Sequence, residues 1–314
     1  MISIITAHYN SSEKINNLID SLQKQTNKDF EWIVVDDCSR DVEFSAMKEK
    51  VLKAGLNAKV LQNEKNGGPG VARNNGIKHS YGEYIVFVDC DDVVSNDFVS
   101  VLELLSTEKD TDVIAFDYVR IQGDNRTGYS KIDGLSTGSV SVETFLLQAK
   151  TGVCGAAFRS NLICENNILF PELYRYEDWV FNVRAILKST SIWYEKKELY
   201  FYLEADNSLV TSGKHDAGEC AKQAFAFIEP LLKEYSEDIL GLLYAREILY
   251  VNAISKAKRM DFLEYKQHMI ELTDRMEYKT NKAYIKKLAL HHRIVFTLIS
   301  KKMYRLVWIL GKKI

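Results

Sequence analysis

The chain has 314 residues, 46% hydrophobic and 27% charged, enough to bury a full core and incompatible with a disordered chain. Only three prolines occur, no window is dominated by Gly, Ser or Pro, and no internal repeat is present, which excludes a long flexible linker. The net charge of −2 hides an asymmetry: residues 278–314 hold ten Lys or Arg and no Asp or Glu, leaving 31 basic against 43 acidic residues, or −12, before them.

Residues 2–7 form a short apolar run with strand character, and residues 11–25 then place Ile15, Leu18, Ile19 and Leu22 at helical spacing. Residues 31–35 repeat the strand signal and end in Asp36-Asp37-Cys38-Ser39, after which Phe44, Met47, Val51 and Leu52 recur with helical period. A third strand is predicted at 58–61, followed by the turn Asn66-Gly67-Gly68-Pro69-Gly70 and a helix to Lys78. Residues 83–88 make a fourth strand opening onto Asp89-Cys90-Asp91-Asp92, and residues 112–121 a fifth. The stretch from Gly123 to Gly138 reads as a surface loop or hairpin, and after about residue 215 the pattern is helical. Strands alternating with helices predict a mainly parallel α/β sheet, whose ligands gather at the carboxyl ends of the strands. The expected organisation is a catalytic domain at 1–215 and an all-helical region at 216–314.

The five cysteines, Cys38, Cys90, Cys154, Cys164 and Cys220, show no C-x-x-C spacing, so reduced thiols are expected rather than zinc or a redox pair. The N-terminus enters Ile2-Ser3-Ile4-Ile5 without the basic segment, long apolar stretch and cleavage site of a secretory signal, and a cytoplasmic location is expected.

Asp89, Asp91 and Asp92 crowd three carboxylates into four positions at a strand end. Such a cluster suits a hard divalent cation, Mg²⁺ or Mn²⁺, that keeps sites open for phosphate. The ordinary alternative is a solvated turn in which Asp92 or Ser95 caps the next helix. Asp36 and Asp37 share that sheet edge, where a carboxylate can accept from a base or ribose, or simply make an Asx-turn. The Gly67-Gly68-Pro69-Gly70 loop lets backbone approach a ligand, and Arg73 on the first helical turns could meet phosphate. Glu177-Asp178-Trp179 places acids in an aromatic sequence, where burial raises a carboxylate's pKa toward general-base use; helix capping is the alternative. His8 and Cys154 lack spaced partners and are read as packing or local hydrogen bonding rather than as ligand or nucleophile.

Taken together, Ser3-Ile4-Ile5-Thr6-Ala7-His8-Tyr9-Asn10, Glu31-Trp32-Ile33-Val34-Val35-Asp36-Asp37-Cys38-Ser39, Asn66-Gly67-Gly68 with Ala72-Arg73-Asn74, Val88-Asp89-Cys90-Asp91-Asp92 and Tyr176-Glu177-Asp178-Trp179 resemble glycosyltransferase family 2. The resemblance spans about residues 1–210 and implies the GT-A fold, an inverting transfer from a nucleotide-diphosphate sugar, most commonly a UDP-sugar, and a role in bacterial surface polysaccharide assembly. It implies that Ala7, Tyr9, Asp37, Asn66 and Arg73 bind the nucleotide, that Asp89 approaches the ribose and the metal's water shell, and that Asp91 ligates Mn²⁺ or Mg²⁺. Asp178 matches the family's catalytic base. The chain departs from the family's pattern at Ala7, where proline is frequent, and at Leu203, where arginine frequently follows the aromatic pair of Tyr200-Phe201-Tyr202; Asn207-Ser208 match the usual continuation. Two rival readings are a sugar nucleotidyltransferase, whose Gly- and Arg-rich phosphate loop is lacking, and a nucleotide-sugar-binding module without turnover, which would not need both Asp91 and Asp178.

Near the C-terminus Val295, Ile299, Met303, Leu306 and Leu310 recur at helical intervals, with Lys301, Arg305 and Lys312 on the opposite face. No run reaches the roughly 18 apolar residues of a bilayer span. The pattern predicts either a helix lying on an anionic membrane surface, at the inner face of the cell membrane beside a lipid-linked saccharide acceptor, or a helix packed on the acidic body. Nucleic acid is not an expected partner.

Overall fold

The computed structural model describes residues 1–314 apart from 133, 151, 205–215, 275–284, 287 and 314. Two compact units are present: Met1–Glu172 with Glu177–Thr211, and Leu173–Tyr176 with Ser212–Ile314. The expected domain end at residue 215, the Asn207-Ser208 pair and the expected start of the basic tail at residue 278 lie outside the described residues.

The first unit runs β1 (Ile2–His8), α1 (Ile15–Gln23), β2 (Phe30–Asp36), α2 (Asp41–Lys53), β3 (Ala58–Gln62), α3 (Pro69–Lys78), β4 (Tyr84–Phe87), β5 (Val93–Val94) and α4 (Phe98–Lys109). It continues through β6 (Val113–Gln122), β7 (Asn125–Tyr129), β8 (Gly138–Val140), α5 (Val142–Gln148), β9 (Ala156–Arg159), α6 (Ser160–Glu165), α7 (Glu177–Lys188) and β10 (Ile192–Leu203). One sheet carries all ten strands, in the order β3-β2-β1-β4-β9-β6-β10-β5, with β7 on β6 and β8 on β10. The half built from β3, β2, β1 and β4 is parallel, and its inner strands are the continuous apolar runs expected of strands covered on both faces; β2 is buried at every position, whereas the edge strand β3 is not.

Beyond β4 the sheet is mixed. β9 enters antiparallel between β4 and β6, and β5 pairs antiparallel with the end of β10. Neither was legible as a strand, because Val93–Val94 has only two residues and β9 four. The stretch after Gly123 is a hairpin, with β7 antiparallel to β6.

Register sets the functional edge. His8 pairs with Asp36, Asp36 with Gln62, and Ile5 with Phe87, so the chain leaves β1, β2 and β4 at the same carboxyl edge. α3 then packs over β1 through Gly76, where an added Cβ would lie 2.4 Å from Ile5 Cγ2.

The regular elements of the second unit's described residues are all helices: α8 (Ala217–Tyr235), α9 (Glu237–Leu243), a π-helical turn (Tyr244–Leu249), α10 (Tyr250–Ala257), α11 (Phe262–Asp274), α12 (Leu290–Ser300) and α13 (Tyr304–Lys313). Asp216 and Ser236 cap α8 and α9 by accepting from Glu219 N–H and Ile239 N–H. The single C-terminal helix expected from periodicity is corrected to two. Lys302 takes φ 57°, with Met303 N–H bonded to Leu298 O and Lys302 N–H to Ile299 O, both at 2.8 Å, a left-handed helix stop. The break shifts the phase of the buried face. Val295 and Ile299 are buried on α12, but on α13 the buried residues are Tyr304, Val307 and Gly311, while Met303, Leu306 and Leu310 are exposed.

Because the contact at Gly76 meets a rigid β-branched side chain in a filled core, Gly76→Val is expected to lower unfolding free energy by about 2 kcal/mol or more, measured by urea denaturation.

Candidate active site at the carboxyl edge of the sheet

The edge gathers seven carboxylates, and the fold gives most of them a partner. Asp36 is buried and accepts from His8 Nδ1 at 2.8 Å and from the backbone N–H of Ser39 at 2.9 Å. Ser11 N–H approaches the other ring nitrogen of His8 at 3.3 Å, which assigns a neutral imidazole with its proton on Nδ1. Burial raises the Asp36 carboxyl, but the bonds from His8 and Ser39 outweigh it and hold it below the usual range. The reading of His8 as a local hydrogen-bonding residue is what the structure contains.

Asp37 organises the glycine loop. Its carboxylate accepts from Gly68 N–H at 2.6 Å, from Gly67 N–H at 3.1 Å and from Asn63 Nδ2 at 2.8 Å. Asn66 adds a bond to the Asp37 carbonyl at 3.2 Å. Gly68 stands at φ 87° with Pro69 opening α3, a backbone conformation that only glycine adopts without strain. Ala7 is half-buried at the end of β1, and Tyr9, 49% exposed, stands beyond it.

Arg73, expected to meet phosphate, is 6% exposed and bridges two carboxylates, with Nη2 2.8 Å from Asp89 Oδ1 and Nη1 3.1 Å from Glu177 Oε1. Its guanidinium lies 5.4 Å from the centre of the Phe170 ring, which stacks on Phe181 at 4.1 Å. Burial works against the charge, but Asp89 and Glu177 outweigh it and keep the side chain firmly protonated.

Asp92 caps no helix. It is fully buried, accepting from Tyr200 Oη–H and, at 2.8 Å, from the backbone N–H of Leu203. Burial and the nearby Asp89 charge push it well above the carboxylate range. Tyr200 Oη in turn accepts from Asp89 N–H at 3.2 Å and from Cys154 Sγ at 3.3 Å, so one phenol joins β10, the Asp89–Asp92 turn and the segment before β9. The sequence offered Tyr200 only as part of an aromatic triplet, because its partners lie 46 or more positions away.

Asp91 and Asp178 remain open. Asp91 has its side chain 38% exposed and meets Lys14 Nζ at 3.1 Å, an ion pair that sequence spacing could not reveal. Asp178 opens α7; its Oδ1 accepts from Trp179 N–H at 2.8 Å, and its Oδ2 lies 3.5 Å from where a Cβ on Gly152 would stand. Burial pushes both acids of this turn upward, Glu177 to about 7 under the added charge of Asp178.

Among the described residues, ligand atoms of Asp89, Asp92 and Cys154 come within 4.8 Å of one another. That trio does not suit a hard cation: Asp92 is consumed by Tyr200 and Leu203, and burial keeps Cys154 a thiol. An exposed carboxylate such as Asp91 does suit Mg²⁺ or Mn²⁺, which binds through one or two carboxylates plus substrate phosphates.

The family profile described as "Glycosyl transferase family 2" matches residues 3–162, half of the chain. The chain belongs to glycosyltransferase family 2. Within the family it is 33% identical over 207 residues to the poly(ribitol-phosphate) beta-N-acetylglucosaminyltransferase TarS of Staphylococcus aureus, covering 64% of this chain and 35% of that protein. It is 27% identical over 294 residues to the glycosyltransferase GlyG of Streptococcus pneumoniae, covering 89% of this chain and 93% of that one. The chain thus spans about a third of the length of TarS but nearly all of GlyG. The crystal structure of S. aureus TarS 1-349 in complex with UDP-GlcNAc superposes with a TM-score of 0.77 at 24% identity, over 99% of this chain and 90% of that one. The fold is therefore GT-A, as the sequence predicts.

The buried bridge makes a test that separates structure from phosphate binding. Arg73→Met leaves two carboxylates without their cation and is expected to cost about 3–5 kcal/mol in urea unfolding. A phosphate-facing arginine would instead lose donor affinity at unchanged stability.

Proposed function

We propose that this chain is an inverting, metal-dependent glycosyltransferase that moves a sugar from a nucleotide diphosphate, most simply UDP, to an acceptor hydroxyl in the assembly of a surface polysaccharide. The observation that carries the reading is the division of the acidic edge. Five carboxylates are tied up by backbone, phenol, histidine or arginine, while Asp91 stays exposed and Asp178 presents an oxygen toward Gly152.

In this reading Ala7, Tyr9 and the loop braced by Asp37 and Asn66 receive the nucleotide, and Asp89, fixed by Arg73, faces the ribose. Asp91 would hold the Mn²⁺ or Mg²⁺, which when bound stabilises the negative charge that builds on the departing diphosphate. Asp178 takes the proton of the acceptor hydroxyl as that oxygen bonds to the anomeric carbon from the face opposite the leaving group. One displacement inverts the centre and needs no nucleophile from the protein. The acceptor class is a saccharide or lipid-linked saccharide.

With purified protein, a UDP-sugar panel and Mn²⁺, Asp91→Ala is expected to abolish metal-dependent donor binding and turnover, and near-normal activity would refute its role. Asp178→Asn should still bind donor while transfer falls by about 10²–10⁴-fold. A base works in its charged form, so with the Glu177–Asp178 turn held high, turnover should fall as pH drops from neutral toward 5, roughly, in a pH–rate profile.

The same proposal places the enzyme at a membrane surface in the cytoplasm. On α13, Leu306, Ile309 and Leu310 are exposed on the side away from buried Tyr304, Val307 and Gly311, with Arg305, Lys312 and Lys313 beside them. An exposed apolar row rimmed by lysine and arginine matches anionic headgroups over acyl chains. No helix among the described residues is long and apolar enough to cross a membrane. The full chain is expected to float with anionic vesicles at low salt and less at high salt, whereas a Leu306→Ser, Ile309→Ser, Leu310→Ser variant should not float.

A further inference from the structure

Lys131 lies after β7 with its side chain fully buried. Its backbone is fixed on both sides: its N–H donates to Asp117 Oδ1 at 2.7 Å and its carbonyl accepts from Lys150 N–H at 2.9 Å. The ammonium donates to the carbonyls of Gly152, at 2.5 Å, and Cys154, at 3.2 Å. Taking an ammonium out of water costs several kcal/mol, and neutral carbonyls return less of that than a carboxylate would. Methionine would fill the same volume without the charge. A buried cation kept at that cost points to electrostatic work rather than packing.

The two carbonyls belong to a segment whose other side borders the site. A Cβ on Gly152 would stand 3.5 Å from Asp178 Oδ2, and Cys154 Sγ stands 3.7 Å from Asp89 Oδ2. Lys131 therefore holds, through those two carbonyls, the turn that borders the proposed base. Its field also reaches that carboxylate: burial raises Asp178, while Arg73 and Lys131 oppose the rise. Reciprocally, burial brings Lys131 down to about 8, against the pull of Cys154 and Asp178. Of the other charged groups around Asp178, Glu177 adjoins it on α7, Asp89 follows β4, and Arg73 on α3 is already shared between those two acids.

We propose that Lys131 is a positioning residue for Asp178: it fixes the Gly152–Cys154 turn against the carboxylate and supplies an uncancelled buried positive charge that favours the ionised base. The proposal rests on Asp178 being the base, and its test has a readout independent of turnover. The full chain with ¹³Cγ-labelled aspartate is titrated by NMR as wild type, Lys131→Gln and Lys131→Arg, with Asp178→Asn assigning the resonance. Lys131→Gln keeps donors for the carbonyls without the charge. Its Asp178 midpoint is expected to rise by about one pH unit or more, and Lys131→Arg to stay near wild type. The acid limb of turnover should move with the midpoint while donor KM holds.

An unchanged midpoint in Lys131→Gln would overturn the proposal, even with reduced turnover, because that is the behaviour of a purely structural residue. Failure of Lys131→Gln to fold, seen by circular dichroism, would likewise assign Lys131 to folding and overturn it. If the midpoint shifts as expected but the wild type transfers no sugar from any donor, the electrostatic coupling stands and the glycosyltransferase reading fails.

Discussion

The buried guanidinium of Arg73 is the contact on which the rest of the site depends. It fastens α3 to the turn after the neighbouring β4 through Asp89 and to the start of α7, 104 positions on from the arginine, through Glu177. Two carboxylates on one planar fork satisfy its directional donors, and the Phe170 ring covers its face. The geometry works only because α3 sits unusually close to the sheet. Gly70, Arg73 and Gly76 recur every three residues on one helical face, and Cβ atoms on the two glycines would meet Phe170, Glu177 and Ile5 at 3.3 Å or less. Small residues above and below bring the backbone in, so the arginine between them reaches both acids.

A sheet edge crowded with carboxylates would repel itself, and the fold answers each charge by a different device. Asp36 receives a histidine and a serine, Asp37 a run of backbone amides, and Asp92 a phenol and an amide. Asp89 and Glu177 share Arg73. Each device also binds two pieces of chain together, so neutralising the edge and shaping it are one operation. What is left over is informative. Among the described residues Asp91 has an exposed lysine and Asp178 one backbone amide, which leaves two carboxylates with unused acceptor capacity at positions fixed by their saturated neighbours.

The residues matched by the family profile end at 162, before Glu177, Asp178 and Tyr200. The profile thus covers the strand ends proposed to take the nucleotide, together with Lys131 and the Gly152–Cys154 turn, whereas the proposed base on α7 lies beyond it. Lys131, the Gly152–Cys154 turn and α7 border the mixed half of the sheet rather than its parallel half. In the helical unit a similar division holds: α12 and α13 bury one face each and leave a second apolar row exposed among basic residues.

The sequence by itself determined the parallel half of the fold, because strands buried on both faces must be continuous apolar runs and the turns after them must carry the polar residues. It also determined which motifs lie at the carboxyl edge, since three parallel strands end there by topology alone. Tertiary structure decided what those residues do. Arg73 reads as a phosphate contact in the chain, and its buried bridge to two carboxylates could not be read there, because these partners are 16 and 104 positions away and no local pattern announces them. Asp92 reads as one of a metal-binding carboxylate cluster, or alternatively as a helix cap, and its bond to Tyr200, 108 positions on, emerges only in the fold. The C-terminal apolar row was visible as a period but not in phase, because one left-handed residue, Lys302, resets the helix. Periodicity reports which residues share a face while the backbone stays regular; burial and long-range pairing, which set charge and reach, exist only once the chain has folded.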